Sequence, residues 1–486
     1  MSSLTERSLS GIRWTALSQF AAQGAQYGSF ILLARLLSPE DFGTVAAATL
    51  IVGLAALLNE LGLGAALIQR AELRPGHLNA CFIANLATGL ALWAILALAS
   101  GPIATFFDNA AVAPILLWLG AGFPLVGLAV VPKSMLERQL RFKAVGAVDA
   151  AAAIATAAVA IGFALSGAGA WSLVYGTLTG YAVQLVGFWG AARWVPGLRC
   201  GRQDFAELLS FGANVLGTRM LGYVGTNIDY MVIGRVLGPT ALGAYSLAYK
   251  LVTWPMFKIS HVILRVVFPA FARVQNDDAT FRRHYTRLVG AISLVIFPLL
   301  GGLAVLAPEV IPLVFGEKWQ SVVLPTQILC VTGAFKAMVC SVGTVYLSKG
   351  RPDLELKVNM IGMSVLACCV LVGVQWGVAG VAAGVLASSF FGAPLQQIVA
   401  NRLIGLSMRD YLGSVAVPAG ATLAMVALLL GWRQVAIGWG LPDWGLLAVA
   451  VPLGAAAYLA TVSALGYDWL ALVRQVAGKR PAKQAA

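Results

Sequence analysis

A chain of 486 residues that is 59% hydrophobic and 11% charged is far from a water-soluble domain, where about a quarter of residues are charged; it reads as an all-α, polytopic membrane protein. Its apolar runs approach the ~20 residues a helix needs to cross about 30 Å of hydrocarbon, and they are too long for the ~10-residue strands of an outer-membrane barrel. The net charge of +13 does not indicate nucleic acid, because the basic residues cluster in short loops between apolar runs, where they set topology.

Polar breaks divide the chain into about fourteen transmembrane spans. They cover residues 11–35, 42–68, 77–100, 110–132, 146–166, 169–193, 207–235, 242–271, 287–308, 319–347, 355–376, 378–401, 411–432 and 443–465. The first apolar run is longer than the 7 to 15 residues of a signal peptide and lacks a clear small-residue cleavage site, so it is expected to be a retained helix. Ser166 to Gly169 and Gly377 to Gly380 read as Gly-rich turns joining neighbouring helices. Six cysteines, Cys81, Cys200, Cys330, Cys340, Cys368 and Cys369, have none of the paired spacings of a metal site and are expected to be free and buried.

Lysine and arginine fall unevenly about these spans. The N-terminus, every second loop and the C-terminal tail hold about 24, among them Lys133, Arg138, Arg141, Lys143, Arg282, Arg283, Lys349 and Arg351; the alternate loops hold about four, Arg35, Arg235, Lys318 and Arg433. This bias predicts both termini in the cytoplasm and an even number of crossings, in a multi-pass protein of a bacterial inner membrane.

One short segment is written twice. RLLSPEDFG at 35–43 follows the first span and RVLGPTALG at 235–243 follows the seventh, with Arg, Leu, Pro and Gly in step. Six spans separate the copies, so both face the same side, which predicts a parallel repeat about an axis along the membrane normal. ERQLRFK at 137–143 and PDLELK at 352–357 precede the fifth and eleventh spans in the same way, and SGAGAW at 166–171 answers WGVAG at 376–380. The expected organisation is a six-helix lobe at 1–200, a second at 201–405, and two further helices with a tail at 406–486. Each turn is expected to be structural, with Pro fixing the backbone and Gly43 or Gly243 relieving it, and with Arg35 and Arg235 either snorkelling or touching a substrate.

Ionisable groups inside a span cost about 2.5–3.5 kcal/mol each on insertion scales and face water or a partner. Five basic residues are of this kind, all in the second half: Arg219, Lys250, Lys258, Arg265 and Lys336. In the eighth span Lys250, Trp254, Lys258, His261 and Arg265 lie within about 80° of one another on a helical wheel, a basic and aromatic stripe. Pro255 interrupts that helix and predicts a kink, structural or mobile. In the seventh span Arg219, Tyr223 and Thr226 share a face, and 200 positions earlier stand Gln19, Gln23 and Gln26. Interhelical hydrogen bonds would explain the glutamines alone; a shared aqueous cavity explains all six. Glu60 and Asp229 are the acids within spans, read as ion-pair partners or as carriers of a coupling H⁺ or Na⁺. Five cations against two carboxylates favour a polyanion, and Lys and Arg in low dielectric grip phosphate. No GxxxxGK loop, HExxH or supported GxSxG is present, so neither an enzyme nor a nucleotide-driven pump is indicated, and no cofactor or metal is expected.

The stretch from GIRWTALSQF through ARLLSPEDFG to NELGLGAALIQR, with LSPEDFG at 37–43 and ELGLGAALIQR at 60–70 the most specific, resembles bacterial oligosaccharide flippases of the polysaccharide transporter family, the lipopolysaccharide and colanic-acid translocase type. VFGEKW at 314–319 and SKGRPDLELK at 348–357 extend the resemblance. It implies fourteen helices, two six-helix lobes about a central cavity, alternating access, peripheral last helices and an undecaprenyl-pyrophosphate-linked oligosaccharide as substrate. The expected function is to flip that lipid from the cytoplasmic to the periplasmic leaflet for exopolysaccharide, capsule or O-antigen assembly, alongside a polysaccharide polymerase and export machinery. Under this reading Arg219, Lys250, Lys258, His261, Arg265 and Lys336 hold the pyrophosphate, while Gln19, Gln23, Gln26, Tyr223, Thr226 and Trp254 meet sugars. A multidrug or cation antiporter of the same superfamily, which would want carboxylates in its cavity, and a membrane glycosyltransferase or polymerase, which would want a large periplasmic loop or an acidic motif, are the alternatives.

Overall fold

The computed structural model describes residues 23–59, 64, 67–68, 74–197, 201, 213–273 and 277–466, with the backbone alone at 213–219, 259 and 261–273. Gln19, Glu60 and Cys200 lie outside the described residues. Every regular element among the described residues is helical, as the span lengths require, because a backbone in hydrocarbon must satisfy its polar groups within its own segment.

Seventeen helices form the described chain. They are α1 (23–36), α2 (Pro39–Asn59), α3 (Pro75–Phe106), α4 (Val112–Gly120), α5 (Gly122–Arg138), α6 (Phe142–Leu165), α7 (Trp171–Ala192), α8 (Ala213–Thr226), α9 (Ile228–Val236), α10 (Gly238–Arg273), α11 (Asp278–Phe315), α12 (Val323–Val339), α13 (Val342–Ser348), α14 (Pro352–Gly373), α15 (Gly377–Ile404), α16 (Met408–Gly438) and α17 (Asp443–Ala464). Fourteen spans account for all of them once three are recognised as interrupted. The fourth span breaks at Ala121 into α4 and α5, the seventh at Asn227 into α8 and α9, and the tenth at Cys340 and Ser341 into α12 and α13. The sequence predicts each as continuous, because one or two small or polar residues inside an apolar run leave no gap long enough to mark an end. At Asn227 the cause is local: its side-chain amide donates to the Tyr223 carbonyl at 2.8 Å, competing with the helical bond that its own backbone N–H makes to the same carbonyl at 3.1 Å. The eighth span, by contrast, stays helical straight through Pro255.

Helix starts follow the sequence closely. Pro39, Pro75 and Pro352 each open a helix, where the missing N–H costs nothing. Before Pro39, Ser38 and Asp41 cap one another: the Asp41 N–H donates to Ser38 Oγ at 3.1 Å and the Ser38 N–H to Asp41 Oδ2 at 2.9 Å. At α16 the Asp410 N–H likewise donates to Ser407 Oγ, at 3.0 Å, while the Ser407 hydroxyl donates to Asp410 Oδ2 at 2.7 Å.

The chain divides into two compact units, Met1–Ala244 and Tyr245–Ala486. In the first, α6 and α7 meet through small residues, with Gly176 against Ala160 and the Thr156 carbonyl, so that the helix backbones approach closely. The Gly-rich turn before α7 uses positive φ at Gly167 and Gly169. In the second unit α16 and α17 lie on α11, burying Leu294, Met425, Leu429 and Ala450. Tyr458 donates to the Leu294 carbonyl at 2.7 Å, and Arg433 pairs with Glu309, which is 5% exposed. Leu98, 84% exposed on α3, typifies the apolar outer faces, which suit lipid. The described cysteines are free, but only Cys81 and Cys330 are buried; Cys368 is exposed on α14, among neighbours that face outward.

Candidate functional site

The repeated turn is a backbone crossing. Both copies lie in the first unit, where α2 and the start of α10 meet at Gly43 and Gly243. A Cβ on Gly43 would overlap the Pro239 carbonyl, and a Cβ on Gly243 would overlap the Pro39 carbonyl, a reciprocal fit that only glycine permits. Arg235 donates to the Thr105 and Phe106 carbonyls at 3.3 and 3.0 Å and lies over the Phe106 ring, closing the C-terminus of α3. A cation at the end of a helix dipole is a structural role.

In the first unit the polar face of the seventh span is partly committed to packing. The Tyr223 hydroxyl donates to the Leu50 carbonyl at 3.0 Å, with its ring against Gly53, tying α8 to α2. Thr226 turns its hydroxyl onto the Gly222 carbonyl, and its residue stays exposed. Arg219 is placed by backbone alone on the same helix; Gln23 is half-buried and Gln26 exposed on α1. Asp229 is 2% exposed in the first turn of α9, its Oδ1 accepting from the Tyr230 N–H at 3.0 Å. Sequence reasoning missed one polar group here: Asp149, in the second turn of α6, accepts from Gln184 at 3.2 Å and stands 4.0 Å from the Lys133 ammonium. The signal was present, an acid just inside an apolar run.

In the second unit the basic stripe holds together where side chains are described. Lys250 and Trp254 are half-buried on α10, the ammonium 6.0 Å from the ring centroid, and Lys258 is exposed one turn further on. His261 and Arg265 continue the same face by helical geometry, their backbone alone being described. Lys336, from α12, comes to this helix: its ammonium is 3.5 Å from the Tyr249 hydroxyl and 5.2 Å from the ring centroid. A cation over an aromatic face is stabilised by about 0.5–2 kcal/mol. Tyr249 was not selected from sequence, since what marks it is a lysine 87 positions away. The Lys250 and Lys336 ammonium groups thus set positive charge beside the faces of Trp254 and Tyr249. Among the described residues no group of three or more His, Cys, Asp or Glu side chains is placed to hold a metal.

Comparison with known proteins adds an independent line. The family described as "Polysaccharide biosynthesis protein" matches residues 32–324. The chain is 29% identical over 426 residues to the lipopolysaccharide biosynthesis protein WzxC of Escherichia coli strain K12, covering 86% of this chain and 85% of that one. It is also 29% identical over 469 residues to the teichuronic acid biosynthesis protein TuaB of Bacillus subtilis strain 168, covering 94% and 96%. Among solved structures it superposes on the lipid II flippase MurJ in an inward closed conformation with a TM-score of 0.76 at 13% identity, over 94% of this chain and 99% of that one. An inward-facing multidrug resistance MATE family transporter gives 0.61 at 15% identity, over 80% and 96%. The fold is therefore of the MurJ and MATE type.

Proposed function

The chain belongs to the polysaccharide biosynthesis protein family, and on that premise we propose that it is a flippase: it carries a polyprenyl-pyrophosphate-linked oligosaccharide from the cytoplasmic to the periplasmic leaflet of a bacterial inner membrane. The observation that carries this reading is the basic and aromatic face of α10, with Lys250, Trp254 and Lys258 in register and Lys336 brought beside it on Tyr249. The names of the relatives, which concern lipopolysaccharide and teichuronic acid synthesis, and a fold shared with a lipid II flippase support it.

Moving such a lipid needs no bond to be made or broken. The obstacle is the charged, hydrated head group, which crosses hydrocarbon only if fixed charges replace its water. Lys250, Lys258 and Lys336, with Arg219, His261 and Arg265, supply that replacement for the pyrophosphate. Trp254, with Gln23, Gln26, Thr226 and Tyr223, contacts sugars, while the polyprenyl tail stays in the bilayer. A proton or sodium gradient, with Asp229 as a carrier, drives return of the empty protein. Both termini lie in the cytoplasm, and a polymerase on the far side consumes the product.

A shared fold also admits a cation antiporter. The face of α10 argues against it, because a cationic cargo would meet ammonium groups rather than carboxylates. Transfer of a labelled undecaprenyl-pyrophosphate oligosaccharide between liposome leaflets separates the two. Wild-type protein should accelerate transfer, Lys258→Ala should slow it at least about tenfold, the loss of roughly one charge-assisted contact, and the Arg219→Ala, Lys258→Ala double variant should abolish export while remaining in the membrane. Normal export by the double variant would sink the site, and absence of transfer by folded wild type would sink the activity.

A further inference from the structure

Three helices of the first unit bring polar side chains together at one level. Lys133 stands near the end of α5, while Asp149 on α6 and Gln184 on α7 lie about 10 and 12 Å from the nearer end of their helices at 1.5 Å per residue. The Gln184 side-chain amide donates to Asp149 Oδ1 at 3.2 Å, and the Lys133 ammonium stands 4.0 Å from Asp149 Oδ2. Both charged side chains are 40% exposed.

The frame around them is fixed. Gly187 lies so close to Val148 that a Cβ on it would come within 2.7 Å of Val148 Cγ1, which seats α7 on α6 beside Asp149. The Lys133 ammonium lies 5.5 Å from the centroid of Phe188, whose ring is 1% exposed and packs with Leu136 and Val145. A cation over a buried ring is held where it stands. The pair itself is nevertheless open. At 4.0 Å the ammonium and the carboxylate are too far apart to hydrogen-bond, whereas a closed charge-assisted pair sits at about 2.7–2.9 Å. Among the described residues, then, the Lys133 N–H groups and Asp149 Oδ2 keep hydrogen-bonding capacity that each does not spend on the other. Ionisable groups inside a span face water or a partner rather than acyl chains.

The chemistry of this gap selects what fits it. A phosphate oxygen only accepts, and the Asp149 carboxylate repels it; a cationic group meets the Lys133 ammonium. A hydroxyl does both tasks, donating to Asp149 Oδ2 while accepting from Lys133 Nζ, and a neighbouring hydroxyl can donate to Gln184 Oε1. We propose that Lys133, Asp149 and Gln184 form a binding site for adjacent hydroxyl groups of an uncharged sugar ring. The proposal deepens the flippase reading and rests on it for the source of the sugar: it names a neutral saccharide of the head group as what the first unit recognises, where the basic face of α10 takes the pyrophosphate.

The test is equilibrium dialysis of the full-length protein in detergent against a tritiated neutral oligosaccharide, released by mild acid from the lipid-linked oligosaccharide of the source bacterium and so free of pyrophosphate and tail. Binding should be saturable and indifferent to excess inorganic pyrophosphate. Asp149→Asn and Lys133→Gln should each weaken it about tenfold, the loss of roughly one charge-assisted hydrogen bond, and Lys133→Arg, which keeps a charged donor, should retain most of it. If Asp149→Asn is not recovered folded, Lys133→Gln decides. A merely structural pair would instead lower the unfolding midpoint of the variants and leave the dissociation constant of their folded fraction unchanged. That outcome, displacement of the sugar by pyrophosphate, or no saturable binding to wild type overturns the proposal. The flippase reading is judged separately, by leaflet transfer of the intact lipid, so sugar binding without transfer, or transfer without sugar binding, shows which of the two has failed.

Discussion

The two copies of the turn, at 35–43 and 235–243, share a backbone and divide the chemistry. In both, Pro stands in the first turn of a helix and Gly, four residues on, lets that helix cross its counterpart at backbone contact. The first copy adds Ser38 and Asp41, which cap α2, and Asp41 also accepts from the Ala170 N–H at 2.8 Å, holding the Gly-rich turn before α7. The second has neither: Gly238 at a φ of +82° takes the place of Ser38, and the work passes to Arg235, which closes α3. A repeat thus preserves the contact that no other residue could make, and lets the side chains around it diverge.

That comparison can be broken or sharpened by substitution. Gly43→Val or Gly243→Val places side-chain carbons where a carbonyl already stands and should cost at least about 3 kcal/mol, read as loss of folded protein on extraction; equal losses at the two sites would confirm that the crossing is reciprocal. Asp41→Ala removes a cap and a tertiary hydrogen bond and should cost about 1–2 kcal/mol in thermal unfolding. No comparable change is expected from Thr240→Ala in the second copy. Arg235→Ala should cost about 0.5–1 kcal/mol, because an exposed cation at a helix end contributes little.

The smallest effect concerns acid. Asp277 caps α11, and hydrogen bonds from the Thr280 hydroxyl and the Thr280 and Ala279 N–H groups hold its carboxyl below the usual carboxylate range. A depressed folded-state pKa means that this cap contributes fully above the unfolded value, near 4, and is lost as pH falls through the folded one. Hydrogen exchange in the first turn of α11 should accelerate below about pH 4, and Asp277→Asn should remove that dependence.

The candidate site was partly legible in the chain. Lys250, Trp254 and Lys258 share a face because helical geometry alone puts residues four apart on one side, and span lengths fixed the helical, membrane-spanning class. Tyr249 with Lys336, and Asp149 with Gln184 and Lys133, were not legible: each joins residues from different helices, and nothing local marks which neighbour a side chain will meet. Arg433 belongs with them. Its place in a short outer loop predicted only topology, whereas it pairs with Glu309, placed one residue past the expected end of its span by a helix that runs on to Phe315.

Composition and period, properties of single segments, determined that this chain is a helical membrane protein of fourteen spans with a duplicated turn. Tertiary structure decided where the spans are interrupted, at Ala121, Asn227 and Ser341, and which glycines are indispensable. The physical reason is the solvent. Hydrocarbon imposes a helix on every crossing segment regardless of its neighbours, so a segment's own residues suffice to announce it. A break or a close crossing is tolerated only where another part of the protein satisfies the freed backbone or fits against it, and the sequence of the segment does not say what that other part will be.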